Sequence, residues 1–236
     1  MSVPRPTRVS DEQPRPIPVG VLLRDDFDRP DSASIGNGWT DGSTFAPHTY
    51  APLGVRDRQV YCSDPLAPAG RERAIGCCWR DLGTVDVQAT IVVPPQSTHF
   101  REATPLLHVT PGTPTHGFGA WLSTFHGKSH LGFLLVGTIG NPIEDFHAVA
   151  TATYTRDDRP HVLTIRSEGG RVTVYYDGLQ LVMADHPGGA ALPEINVPSE
   201  LRRSTMHGLA VDCHLEPDEA SMRQPVIVDS WFEAVT

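Results

Sequence analysis

The sequence predicts an all-β protein, a sandwich or barrel of antiparallel strands. Three observations carry this. Short segments with period-two apolar alternation recur along the chain, about a dozen of them with short turns between, as in sandwiches and barrels. No stretch shows the apolar spacing of a long amphipathic helix. Gly, Pro, Asn and Asp clusters separate the segments and supply turn chemistry.

The most strongly determined segment is His161–Asp185, HVLTIRSEGGRVTVYYDGLQLVMAD. Gly169-Gly170 and Asp177-Gly178 are two-residue hairpin signals, because the turns that suit strand twist need positive φ. A turn at Asp177-Gly178 sets Tyr176 opposite Leu179, Val174 opposite Leu181 and Val172 opposite Met183. A turn at Gly169-Gly170 sets Ile165 opposite Val174 and Leu163 opposite Tyr176. Both registers put these residues on one face and leave Thr164, Arg166, Thr173, Tyr175 and Gln180 mostly on the other. A meander with one apolar face buries it against a second sheet, so Leu163, Ile165, Val174, Tyr176, Leu179 and Leu181 are the expected core.

The other elements follow in order. Residues 1–18 hold five prolines (Pro4, Pro6, Pro14, Pro16, Pro18) and little apolar surface, so they read as an extended arm. The arm is expected to dock on a neighbouring chain in a homo-oligomer or assembly, or to fold back on its own domain. Residues 19–236 are expected to form one β domain. A first strand is expected over 19–27 and a short one around 58–62, within a Pro-, Gly- and Asp-rich region. Further strands are expected at 73–79, 85–93, 105–110, 117–125, 130–137, 145–152, 207–214 and 226–235. In 85–93, Val85, Val87, Ala89, Ile91 and Val93 alternate inward, and Pro94-Pro95 ends the strand. One helical turn is expected near 199–203.

Composition narrows the function classes. With 236 residues the chain can bury a full core. A net charge of −9 argues against a nucleic-acid binder. No run of apolar residues has the length of a membrane span, and the N-terminus lacks the apolar core of a signal peptide. Synthesis in the cytosol without export by the usual route is the expectation. Cys62, Cys77, Cys78 and Cys213 form no C-x-x-C. The adjacent pair points to opposite faces of a strand, so reduced, partly buried cysteines are expected.

Three stretches in order, DDFDRPDSASIGNGW (25–39), HVLTIRSEGGRVTVYYDG (161–178) and VIVDSWFEAV (226–235), resemble the concanavalin A-like lectin/glucanase (LamG-like) jelly roll. The variant they resemble occurs in phage minor tail proteins and secreted carbohydrate-related proteins, with an opening like D-x-F-x-R-x-D…G-x-x-W. The resemblance implies a jelly-roll β-sandwich of two antiparallel sheets, with the first and last strands side by side, Leu22–Phe27 along Val226–Phe232. It implies a non-enzymatic virion protein, a lectin-like module for host-surface polysaccharide or tail assembly, partnered by other tail proteins. A stand-alone lectin and a diverged glycoside hydrolase are the alternatives, since the fold hosts all three.

Chemical signatures are sparse. Glycosidases of this fold carry E-x-D-x-x-E on one strand, aiming carboxylates into one cleft. The nearest match here, Glu216-Pro217-Asp218-Glu219, lies in a loop and has Ser221 at the third acid position. No P-loop or G-x-S-x-G is complete, and His126 and His130 have a helical zinc spacing in a strand-and-turn context. No catalytic residue and no required cofactor follow. Asp25, Asp26 and Asp28 either cap a turn or, if the terminal strands pair, let Asp26 and Asp229 hold a structural calcium. For sugar binding, Trp121 and Phe125 share a strand face with Gly119 and Ser123, His126 is adjacent, and Trp79 and Trp39 are further rings. Each ring also has a plain core-filling role.

Overall fold

The computed structural model describes residues 20–42, 52–62, 73–93, 101–111, 116–125, 128–136, 146–153, 159–181, 194–197, 199–214, 228–229 and 232–236. The 1–18 arm lies outside them. In chain order the strands are β1 (Val21–Asp25), β2 (Thr40–Asp41), β3 (Leu53–Arg56), β4 (Gln59–Cys62), β5 (Arg73–Asp81), β6 (Val87–Val93), β7 (Arg101–Thr110), β8 (His116–Phe125), β9 (Lys128–Val136), β10 (Phe146–Thr153), β11 (His161–Glu168), β12 (Arg171–Tyr176), β13 (Leu179–Gln180), β14 (Ile195–Asn196), β15 (Met206–His214), β16 (Val228–Asp229) and β17 (Phe232–Val235). No α-helix occurs among the described residues.

Two seven-stranded sheets form the body. One runs β1-β17-β6-β11-β12-β13, with β14 also on β12; the other runs β10-β9-β8-β7-β15-β5-β2. A small third sheet runs β16-β4-β3. The inter-strand pairings described are all antiparallel. Leu163, Ile165, Val172, Val174, Ala89 and Ile91 of the first sheet meet Cys78, Leu107, Phe118, Leu209 and Val211 of the second in one buried core. Burying an aliphatic side chain of this size contributes about 1.5–3 kcal/mol, which is why alternation fixes the face so firmly.

The meander forms in the expected register. Leu163 pairs with Tyr176 and Ile165 with Val174; Tyr176 pairs with Leu179. The Leu181 N–H donates to the Val174 carbonyl at 2.9 Å. Gly169, Gly170, Asp177 and Gly178 all have positive φ, so both hairpins close on turns of the mirror-image type. Asp177 holds its left-handed conformation while locking the strand start. Its carboxylate accepts from the Val162 N–H and lies 2.8 Å from His161 Nδ1, and the His161 ring stacks on Tyr176.

Some expectations are corrected. Leu179 is 74% exposed, not core: β13 is a two-residue strand at the sheet edge, and the core ends at Tyr176 and Leu181, which pack partly buried against it. Met183 lies outside the described residues. The first and last strands do pair, but further along the chain than expected, with Asp25 opposite Phe232 and Val21 opposite Val235. Val228 and Asp229 instead pair with Val60 and Gln59 in the small sheet. Among the described residues the Pro/Gly-rich region holds both β3 and β4 where one strand was expected, with Asp57 and Arg58 at positive φ in the turn between them. The adjacent cysteines are reduced and buried; Cys78 faces the core, and burial foremost pushes its thiol pKa well up.

Candidate carbohydrate-recognition face

The opening motif builds an anchor around one carboxylate. Asp25 ends β1 and is 3% exposed. One oxygen accepts from the Phe27 N–H at 2.9 Å and Arg29 Nη1 at 2.7 Å. The other accepts from Asn37 Nδ2 at 3.0 Å and Trp39 Nε1 at 2.7 Å. Burial alone would raise its pKa; the donors from Arg29, Trp39, Asn37 and the Phe27 amide outweigh burial and hold it below the usual carboxylate range. Arg29 also donates to the Ile35 carbonyl at 2.8 Å, and Phe27, fully buried at φ 52°, turns the chain into the core. The D-x-F-x-R…G-x-x-W spacing therefore closes a loop of the chain onto a buried carboxylate.

The neighbouring acids have protein partners. Asp26 accepts from the Asp28 N–H at 3.1 Å, and Asp28 pairs with Arg58 at 2.8 Å. The turn-capping alternative describes Asp25 and Asp26 as they stand. The calcium expectation for Asp26 and Asp229 rested on their meeting where β1 and the last strand pair. That premise is corrected, because β1 pairs with Phe232–Val235 while Asp229 lies opposite Gln59. Among the described residues no three His, Cys, Asp or Glu side chains gather as a metal site.

Strand alternation assigns the β8 positions to the two faces of their sheet. Phe118 is buried in the core, and β8 runs against β9 without a register break from Gly117↔Val136 to Phe125↔Lys128. Gly119, Trp121, Ser123 and Phe125 therefore occupy the face of this sheet turned away from the sandwich interior. Directly opposite them on β9 are Leu134, Gly132, His130 and Lys128. On β10, Thr151 pairs with Gly132 and Thr153 with His130. Trp121 and Phe125 stand at alternate-face positions of β8 opposite Gly132 and Lys128, and His126 lies outside the described residues.

Trp79 does not serve as an accessible ring. It is 2% exposed, because β2 pairs beside it (Thr40 opposite Trp79) and the chain at Gly42 then lies against the ring and against Cys77. A Cβ on Gly42 would collide with Cys77 Sγ and come within 2.8 Å of Trp79 Cζ3, so only glycine allows that approach. Trp39 is likewise buried, in the Asp25 anchor.

The register also reveals a juxtaposition not expected from sequence. Glu102 on β7 lies directly opposite Asp212 on β15, on the same outward face as Gly119 and Trp121. β7 begins at Arg101, four residues before the expected strand at 105–110, and so includes Glu102. Outward alternation of Asp212 against Leu209 and Val211 was visible, but its partner was not.

No protein-family model and no curated protein sequence matches the chain. Solved structures do. The CBM2 module of the evolved Dit of Lactobacillus casei BL23 phage J-1 superposes with TM-score 0.51 and 13% identity, covering 91% of this chain and 95% of that one. The Bacillus licheniformis β-glucanase aligns with TM-score 0.49 and 10% identity over 92% and 98% of the two chains. Carbohydrate-binding module CBM66 from Bacillus subtilis aligns with TM-score 0.45 and 10% identity over 84% and 91%. The fold is a concanavalin A-like jelly-roll β-sandwich.

Proposed function

We propose that the protein is a carbohydrate-recognising structural component of a phage virion, a minor tail protein whose jelly roll binds host-surface polysaccharide. The observation that carries the reading is the row of Trp121, Ser123 and Phe125 on β8 opposite Gly132, His130 and Lys128 on β9. Aromatic positions spaced by small and polar ones are what a sugar ring needs, an apolar face to stack on and hydroxyl partners beside it. The fold shared with a phage Dit module supports the tail assignment. In this reading the protein binds without cleaving, needs no cofactor, and joins neighbouring tail subunits through residues 1–18.

The test is binding of the full chain to purified host-wall polysaccharides, with Trp121→Ala and Phe125→Ala as variants. Loss of one stacking contact is expected to weaken binding at least tenfold, since about 1.4 kcal/mol is tenfold in affinity. Unchanged affinity in both variants refutes the site, and failure to co-purify with intact particles refutes the virion role in favour of a stand-alone lectin.

One observation favours a second reading, a diverged glycoside hydrolase. Residues directly opposite in antiparallel strands have Cβ atoms roughly 4.5–5.5 Å apart, and retaining glycosidases hold their two carboxyl groups about 5–5.5 Å apart. Glu102 and Asp212 are directly opposite each other in register. Reducing-sugar release that vanishes in both Glu102→Gln and Asp212→Asn establishes it.

A further inference from the structure

Away from that face, two buried histidines meet where the sheets are joined by the β5–β6 connection. His108 is 1% exposed and His207 fully buried; their rings meet edge to face at 5.4 Å. His108 sits in the irregular stretch of β7 between Leu107 and Thr110, at φ 54°, a left-handed conformation a β-position does not adopt without cause. That turn aims its imidazole across the sandwich, and Nε2 lies 2.8 Å from Ser167 Oγ on β11 of the opposite sheet. Its Nδ1 lies 3.2 Å from the Ser204 carbonyl. His207 Nε2 lies 2.9 Å from the Thr84 carbonyl, and the His108 backbone N–H donates to His207 Nδ1 at 3.3 Å.

These partners fix the protons. A carbonyl only accepts, so His108 carries its hydrogen on Nδ1 and His207 carries its hydrogen on Nε2. The two histidines differ in what happens when a second proton arrives. A protonated His108 can donate from Nε2 to Ser167, whose hydroxyl rotates to receive it. His207 has no such escape, because the group facing its Nδ1 is a backbone N–H that cannot turn. A protonated His207 would set N–H against N–H inside the core. The charged groups turned toward the pair are Asp81 and Asp86. Asp81 already accepts from Thr205 Oγ1 and the Gly83 N–H, and Asp86 accepts from the Gly169 N–H. β11 and the 199–205 turn present a hydroxyl and a carbonyl, and among the described residues no carboxylate is hydrogen-bonded to either ring.

We propose that His207, paired with His108, is an acid-sensitive latch: neutral, it closes this end of the sandwich, and its protonation opens the β7–β15 corner around the β7 bulge. The sign follows from where each state binds protons. Burial first, with His108 adding to it, lowers the His207 pKa from 6.5 to about 4. A group depressed in this way favours the closed state fully above the open-state value near 6.5, and that preference is lost as pH falls from 6.5 through 4. The closed-to-open ratio should change by roughly 20-fold between pH 7 and pH 5, and by about 300-fold at the acid limit.

The experiment uses the full chain and two readouts. Hydrogen exchange of the amides of 104–111 and 204–209, corrected for intrinsic rates, is compared at pH 7 and pH 5. Histidine ¹⁵N NMR follows the tautomer and titration of His207. The expected result is a pH-dependent rise in exchange that disappears in His207→Asn, whose side-chain oxygen keeps the acceptor without titrating, and persists in His108→Gln. An unchanged pH response in His207→Asn overturns the proposal. If that variant does not fold, the wild-type spectra decide: a His207 that carries its hydrogen on Nδ1 at pH 7, or titrates near 6.5, overturns it, and an Nε2–H imidazole still neutral at pH 5 upholds it.

Discussion

Replacing Asp25 with Ala tests how much of this fold hangs on one side chain. The carboxylate is buried and takes four donors, one of them the guanidinium of Arg29. Removing it leaves the Trp39 indole N–H, the Asn37 amide and the Phe27 N–H without their acceptor, and leaves Arg29 with a buried carbonyl in place of a charge partner. Breaking a buried charge pair by deleting one partner costs about 3–5 kcal/mol. Domain stability is about 5–15 kcal/mol, so this is a large share of the total. At roughly 2–4 °C per kcal/mol for a chain of this size, the melting temperature should fall by roughly 6–20 °C. Asp25→Asn keeps the volume but turns an amide donor toward the existing donors, so it should lose most of the same stability. Asp26→Asn, one residue along and exposed, should stay within about 0.5 kcal/mol, as surface changes do. Urea unfolding of the three variants checks the series. Because the Asp25 pKa is lowered in the fold, the anchor's contribution is present above the ordinary carboxylate value and is lost as pH falls through the folded one. A stability for Asp25→Ala equal to that of Asp26→Asn would refute the claim that this carboxylate holds the loop.

Two further predictions concern packing and assembly. Ile165→Ala, fully buried between the sheets, should cost about 2–5 kcal/mol, while Leu179→Ser should be nearly neutral because Leu179 is exposed; denaturant midpoints separate the two. Deleting residues 2–18 should leave the melting of the domain nearly unchanged and abolish assembly, read by size-exclusion chromatography and incorporation into particles.

What was legible in the sequence was local. Gly169-Gly170 and Asp177-Gly178 announce their turns because few residues adopt positive φ, and the two hairpins then constrain each other. Val87, Ala89 and Ile91 alternate into the core as read. The edge was not legible: Leu179 follows the same alternation as Val174, but alternation says nothing about where the opposing sheet stops. The terminal pairing was legible as a pairing and not as a register, since neither strand contains a turn that sets its offset. The histidine pair was invisible, because 99 residues separate the two partners and the bulge that turns His108 inward leaves no compositional mark. The Glu102–Asp212 opposition was hidden for a related reason, being a property of register between strands distant in sequence.

The last strand has a bearing on how the molecule is made. β17 is not an edge: it lies between β1 and β6, hydrogen-bonded to both. On the ribosome β1 precedes β17, its neighbour among the described strands, by about 200 residues, which at roughly 5–20 residues per second is a delay of ten seconds or more. That edge of the sheet therefore closes only once residues 232–235 have been made, and a chain cut before them would leave β1 without its partner among the described strands.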